Sequence, residues 1–398
     1  MKSKKVIIAG AGPVGCVIAL YLAREGINVQ ILEKENDLIL DLRASTFHPP
    51  TLDMLDELDV TSHLIDQGLI TPKFQFRDLN AGLVAEFDLD LIKNYTNHPY
   101  RLQCEQFKLT QTIKNMLSEY PHVSFFFNCR ATDLSQDNSG VTVYYESRDV
   151  KNKITCDYLI GCDGSKSLIR KALQIEFDGF TFPERFLTAS VSESIRYIIP
   201  DIGHVAYIAD PEEWCVLINA PGYWRFLYPI PIDMKSDKAF ENEYLQERLK
   251  RLIPYDGDYT VCHRTIYDVN QRVARCYRKG RTILAGDSAH VNNPLGGMGM
   301  NGGIHDGINL AKKLVEILNN DACSKLLDLY DRQRRSIAIE YIQSHSIRNK
   351  KNIEEKDPRI RRIRQIELKK IADNRQKSIE FMLDTSMING VRKSLSIE

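Results

Sequence analysis

Three short stretches hold residues whose types and spacing suit chemistry. The first is Gly10-Ala11-Gly12-Pro13-Val14-Gly15, a GxGxxG pattern between the apolar run 6–9 and the small, helix-prone run 14–24. In such a turn the first glycine permits a tight bend. The second lets the backbone approach a pyrophosphate, and the third lets the helix pack on the sheet. The pyrophosphate then rests on a helix N-terminus, with its free N–H groups and positive dipole end. Glu33 closes the next apolar run, 29–32, at the spacing of about 20 residues proper to a ribose-binding carboxylate. It would repel a 2′-phosphate, so the pattern favours FAD or NAD over NADP. Gly10, Gly12, Pro13, Val14, Gly15 and Glu33 are therefore candidate cofactor ligands. The second stretch runs from Gly161-Cys162-Asp163-Gly164 to Ser167 and Arg170. Alone, its Asp-Gly pair reads as a turn and Ser167 as a helix cap. The third is Gly286-Asp287-Ser288-Ala289-His290, followed by Pro294-Leu295-Gly296-Gly297-Met298-Gly299-Met300-Asn301. Alone, Asp287 reads as an N-cap.

These residues need elements to position them. Strand, glycine turn, helix and second strand over 6–32 make a βαβ unit, the minimal module of a parallel sheet. Residues 52–58 and 108–117 read as further helices. Residues 123–127 and 141–145 read as strands joined by a turn over 135–140. From about 177 to 277 short β-branched and aromatic runs alternate with Pro, Gly and Asp, which predicts a mostly antiparallel lobe. In its run 223–230, Tyr223, Arg225 and Leu227 share one face and Trp224, Phe226 and Tyr228 the other. Arg225 suits either an anionic substrate group or an ion pair or cation–π contact inside the lobe. Residues 282–285 return to the parallel style. The helix 300–318 then carries an apolar stripe of Ile304, Ile308, Ala311, Val315 and Leu318. The last fifty residues read as charged helices packed on the body, with a partial stripe of Ile360, Ile363, Ile366, Leu368 and Ile371. The expected divisions are 1–176, 177–276, 277–345 and 346–398.

In this order the three motifs resemble one family. It is the FAD-dependent aromatic hydroxylases of the p-hydroxybenzoate hydroxylase type, the class A flavoprotein monooxygenases. The resemblance covers nearly the whole chain. It implies an α/β, Rossmann-like FAD-binding fold with a β-rich substrate lobe and C-terminal helices. It implies non-covalent FAD, NADH or NADPH as a transient reductant, and O2. The implied reaction hydroxylates a small phenolic or heteroaromatic substrate through a flavin C4a-hydroperoxide. On this resemblance Asp287 binds a ribityl hydroxyl. Pro294, Gly297, Met298, Gly299, Met300 and Asn301 line the isoalloxazine ring, whose reduced form faces the N-terminus of the helix near Met300. Asp163 and Gly164 support FAD and the passing nicotinamide. Arg43 lies near the pyrophosphate, and Gln103 reaches the FAD linker. The substrate lies between flavin and lobe, near Tyr223, Arg225 and Pro294, with His204 and Tyr207 as candidates for a phenol proton relay and His290 structural. Two positions depart from the common pattern, Met298 for Gln and Gly307 for Ala. No second GxGxxG follows, so no separate nicotinamide site is expected.

Composition narrows the rest. The 398 residues carry 53 Lys+Arg and 53 Asp+Glu, with no basic excess to hold nucleic acid. No apolar run approaches the roughly 20 residues of a spanning helix. Run 6–9 lies too near Met1 for a signal peptide to precede it. Nine cysteines without a CxxC pair predict reduced thiols and a cytoplasmic setting, and the histidines show no metal-ligand spacing. A monomer or homodimer is expected.

Overall fold

The computed structural model describes residues 4–42 and 44–398. One six-stranded sheet runs Arg278–Lys279, Thr282–Leu284, Tyr158–Gly161, Lys5–Ala9, Asn28–Leu32, Val123–Phe126. All its pairings are parallel except that of Arg278–Lys279. A parallel strand covered on both faces must be apolar throughout, and Val6, Ile7 and Ile8 are completely buried. Helix Pro13–Arg24 connects the neighbouring strands Lys5–Ala9 and Asn28–Leu32, and the long helix Met298–Asn319 packs along it. The stripe from Ile304 to Leu318 is buried as its spacing required.

The connection to Tyr158–Gly161 is an antiparallel meander of Cys129–Gln136, Val141–Ser147 and Val150–Cys156. The direct turn expected over 135–140 is thereby corrected, because an extra strand precedes it. Cys129 and Ala131 point inward, but Arg130, Asp133 and Ser135 are exposed and dilute the alternation.

A second sheet of eight strands forms the β-rich lobe. Its order is His290–Val291, Val261–Ala274, Phe177–Val191, Tyr223–Pro231, Cys215–Ala220, Val205–Ala209, Lys73–Asp78, Gly82–Asp88. The lobe expected over 177–276 is therefore wider than its segment. The 73–88 hairpin adds at one edge, its first strand parallel to Val205–Ala209. Phe74 and Phe87 are fully buried only because the lobe and the C-terminal helices cover them. Trp224, Phe226 and Tyr228 pack with Leu245 and Leu249 of helix Asn242–Leu252 on one face. Leu227, Tyr207 and Phe74 pack on the other with Met382 and Leu383. Each such side chain contributes about 1.5–3 kcal/mol when fully buried.

The C-terminal helix Pro358–Ala372 buries no residue. Leu368 and Ile371 touch the lobe, but Ile360, Ile363 and Ile366 stay exposed, so the expected packed stripe is only half docked. Arg361 Nη2 and Gln365 Nε2 tie the helix to the Asp78 carboxylate at 2.5 and 2.9 Å. No helix among the described residues is long and apolar enough to cross a membrane.

Candidate active site

The glycine turn has one crowded side and one open side. Gly10 has φ +105°, and a Cβ there would lie 2.4 Å from the Cys162 carbonyl oxygen. Only glycine fits. Gly12 caps helix Pro13–Arg24 without a side-chain acceptor, and a Cβ on it would meet nothing within 4 Å. Uncapped N–H groups beside open space make a cradle for an extended anion. Pro13 occupies the first helical position, where its missing N–H is no loss. Gly15 is buried within the helix–sheet contact. Glu33 is buried at the turn's edge. Its two oxygens accept from Ala11 N at 2.8 Å and Glu35 N at 3.0 Å. A carboxylate keeps further lone pairs for ribose hydroxyls.

The second motif is a buttress. Asp163 accepts from Ser167 Oγ at 2.6 Å and from the N–H groups of Leu168 and Ile169 at 2.6 and 3.1 Å. Ser167 accepts from Arg170 N, the cap expected of it. The Asp163 carboxylate is thus occupied by its own helix, and its backbone presses on Gly10. Arg170 donates to Ser288 O at 2.7 Å and so joins the second motif to the third.

In the third motif Asp287 is exposed between buried Gly286 and Ser288, inside a short 3-10 turn. Beneath it lies Asp306, completely buried. It accepts from His290 Nε2 at 2.9 Å, Arg334 Nε at 2.6 Å and, at 3.3 Å, Gly286 N. Burial favours the protonated acid, but His290 and Arg334 outweigh it and hold Asp306 below its ordinary value. His290 is structural, as expected. Asp306 and Arg334 belong to no motif and become visible only through their contact.

Gly296 and Gly297 have φ +103° and +67°, and Gly297 caps helix Met298–Asn319 with no side-chain acceptor. The N-terminus of that helix is therefore free to face negative charge. Pro294 O accepts from Gly297 N, and Gly299 and Met300 stand half-buried on the first turn. With Met in place of the common Gln, position 298 can offer a flavin ring a backbone contact but no side-chain one. Its side chain is buried with Ile337, Tyr341, Ile342 and Met387, which leaves only backbone to line a ring. Asn301 is a bracket. Its Nδ2 donates to Thr46 O and Gly297 O at 2.8 and 2.6 Å, and its Oδ1 accepts from His48 N at 2.9 Å.

Among the described residues, Gln103 and His48 each leave a buried polar atom near this loop without a partner. Gln103 Oε1 accepts from Thr46 Oγ1 at 2.8 Å, but its Nε2 has none. His48 Nε2 lies 2.7 Å from Gly296 O, and its Nδ1 has none. Burial and nearby Arg101 push His48 down to about 3, so the ring is neutral, donates from Nε2 and presents Nδ1 as an acceptor. Unsatisfied buried groups are costly, and a polar cofactor fits the requirement. The sequence reading missed His48, which has no signature beyond the prolines that follow it. Arg43, read as a pyrophosphate neighbour, lies outside the described residues.

The lobe sorts the substrate candidates by face. Pairings Val205–Ile218 and Ile218–Arg225 place His204 with Asn219 and Trp224 on the face turned from Arg225. His204 is there held by Arg196 Nη2 and Asn219 Nδ2, each at 2.9 Å. Strand alternation thus separates it from the site, and its candidacy as a proton relay is corrected. Tyr207, three residues on, shares the Arg225 face. Arg225 donates to Tyr223 Oη at 3.0 Å, Ser45 Oγ at 3.3 Å and Ser190 Oγ at 3.4 Å. Its guanidinium also lies over the Tyr223 ring, 5.2 Å from the centroid, a cation–π contact within the lobe. A small cavity of about 10 Å³ is walled by Phe74, Phe76 and Tyr207 and floored by Gly296. Arg101 lines it as well, with Asn349 and Thr385 of the C-terminal helices.

Comparison with known proteins decides what this arrangement serves. Residues 3–345 match the family described as FAD binding domain. The chain belongs to that family. It is 32% identical over 392 residues to para-nitrophenol 4-monooxygenase of Pseudomonas sp. (strain WBC-3), covering 97% of this chain and 96% of that protein. It is 29% identical over 362 residues to 6-hydroxy-3-succinoylpyridine 3-monooxygenase HspB of Pseudomonas putida (strain DSM 28022 / S16), covering 89% and 90%. The crystal structure of p-nitrophenol 4-monooxygenase PnpA from Pseudomonas putida DLL-E4 superposes with a TM-score of 0.92 at 29% identity, covering 98% of each chain. The chain is an FAD-dependent aromatic monooxygenase of the class A type, as its motifs implied.

Proposed function

We propose that this enzyme hydroxylates a small aromatic that already carries a ring hydroxyl, with NAD(P)H as reductant. The observation that carries this reading is the aromatic chamber of Phe74, Phe76 and Tyr207 set against Gly296 of the glycine loop. The names of the two curated relatives, a nitrophenol and a hydroxypyridine monooxygenase, supply the ring hydroxyl.

Bound FAD would supply the redox chemistry, in which NAD(P)H is oxidised, one oxygen atom of O2 enters the ring and the other leaves as water. The protein's part is to bind, orient and exclude water. Gly12 and the helix behind it would hold the pyrophosphate, Glu33 the adenosine ribose, and Asp287 and Gln103 Nε2 the ribityl linker that leads to the flavin ring. The N-terminus of Met298–Asn319 would stabilise charge on the reduced ring, at the loop that Asn301 and His48 brace. Tyr207, Phe74 and Phe76 would keep the reacting carbon in a dry enclosure, where orientation and desolvation favour transfer. Nine free thiols fit a reducing, cytoplasmic setting.

The test is turnover of 4-nitrophenol under labelled O2, with product mass measured. One labelled oxygen in the product is expected, together with NAD(P)H oxidation that is slow until the aromatic is added. A product whose new oxygen comes from water refutes the reading.

A further inference from the structure

Arg101 is unusual among the buried charges. Its side chain is 2% exposed, and within the described residues no carboxylate pairs with it. Its hydrogen-bonding partner is the neutral Tyr207 hydroxyl, at a long 3.3 Å from Nη1. The guanidinium lies over the Phe74 ring, 4.1 Å from its centroid, and Nε is buried with no acceptor among the described residues. Other buried cations have more partners, and Arg170, also without a carboxylate partner among the described residues, donates to the Ser288 and Ser165 carbonyls at 2.7 and 2.8 Å. Arg334 is paired with Asp306, and Arg77 with Asp201. A buried cation left without a counter-charge is costly. This one stands on the wall of the aromatic cavity that Gly296 floors, two residues along the same strand from Gln103 and so on the same face.

We propose that Arg101 is the anion receptor of the substrate site. It would bind the negatively charged oxygen of an aromatic anion, a phenolate or a carboxylate, while Phe74, Phe76 and Tyr207 enclose the ring. This rests on the hydroxylase reading and adds the charge of the substrate to it. The guanidinium offers Nε and Nη donors in one plane, which suits an oxyanion. The cavity of about 10 Å³ has room for about one water molecule. A ring must therefore displace part of the lining, to which Asn349 and Thr385 belong. Asn349 is held there by one 3.4 Å bond to Leu295 O.

The experiment uses FAD-loaded enzyme without reductant. Equilibrium dialysis measures the affinity for 4-nitrophenolate, for benzoate and for neutral nitrobenzene at one mildly alkaline pH. In wild type one of the two anions binds about tenfold or more tighter than nitrobenzene, the worth of one charge-assisted contact. Which anion does so separates phenolate from carboxylate recognition. Arg101→Gln abolishes that preference with FAD content retained, and Arg101→Lys restores only part of it. Wild type that prefers neither anion overturns the proposal, and so does an Arg101→Gln enzyme that keeps the preference. If Arg101→Gln does not fold, Arg101→Lys decides, and an unchanged preference there overturns it. Because binding is read without turnover, an enzyme that takes the anion but transfers no oxygen refutes the functional reading alone.

Discussion

Gly10 and Gly12 stand two positions apart and meet opposite surroundings. A methyl on Gly10 would collide with the Cys162 carbonyl at a backbone angle that side chains avoid, whereas one on Gly12 would project into open space. Gly10→Ala should therefore destabilise the apoprotein itself, by about 1–3 kcal/mol or more. Gly12→Ala should melt like wild type without FAD, yet bind FAD about tenfold or more weakly, because the pyrophosphate needs that space. Calorimetry on both apoproteins and dialysis against FAD check the pair. Wild-type FAD affinity in Gly12→Ala would remove the cradle. The motif glycines are legible in sequence because each has a local steric task. Arg101 and His48 are not legible, since their meaning lies in the neighbours they lack.

At the scale of elements, the helix Pro358–Ala372 rests on few contacts. Its exposed Ile360, Ile363 and Ile366 contribute little burial, so the Arg361 and Gln365 bonds to Asp78 carry a large share of its docking. Arg361→Ala should loosen it by about 1.5–3 kcal/mol, the range for a hydrogen bond to a charged partner. Faster amide exchange over 356–373 with unchanged FAD content is the expected result. Exchange as slow as in wild type would show that Leu368 and Ile371 suffice. The periodic helices, and the strands on either side of the glycine turn, follow from apolar spacing alone. The strand Cys129–Gln136 and the 73–88 hairpin escape that reading. Their inward residues are few, and their partners are distant in sequence.

For the molecule as a whole, two buried histidines tie stability to pH. His48 and His305 are both pushed down to about 3, chiefly by burial. Unfolded, each would take a proton near its ordinary value of 6.5, while the folded protein resists until about 3. The unfolded state thus binds more protons in that window. Stability is full above it and falls as pH falls through it, by up to about 1.4 kcal/mol per pH unit for each ring. Asp306, held below its ordinary value, loses its contribution in the same direction at lower pH. Denaturant melts from neutral pH to about pH 5 should show the decline, and His48→Gln should make it shallower. A flat profile in wild type would mean that these rings titrate in the folded protein.

The fold class, the dinucleotide turn with Glu33, the order of the three motifs and the existence of a β-rich lobe could all be determined from the sequence by itself. Each depends on residues close together along the chain: a glycine at a bend, a carboxylate at a strand end, apolar positions at a helical or strand period. Tertiary structure alone decided which face of the lobe looks at the glycine loop, and so it separated His204 from Tyr207. It also decided that the Met298 side chain turns away, that hydroxyls meet Arg225, and that Arg101 is buried with no carboxylate partner among the described residues. Burial and pairing are set by residues far apart in the chain, here 106 positions between Arg101 and Tyr207, and local spacing holds no record of them.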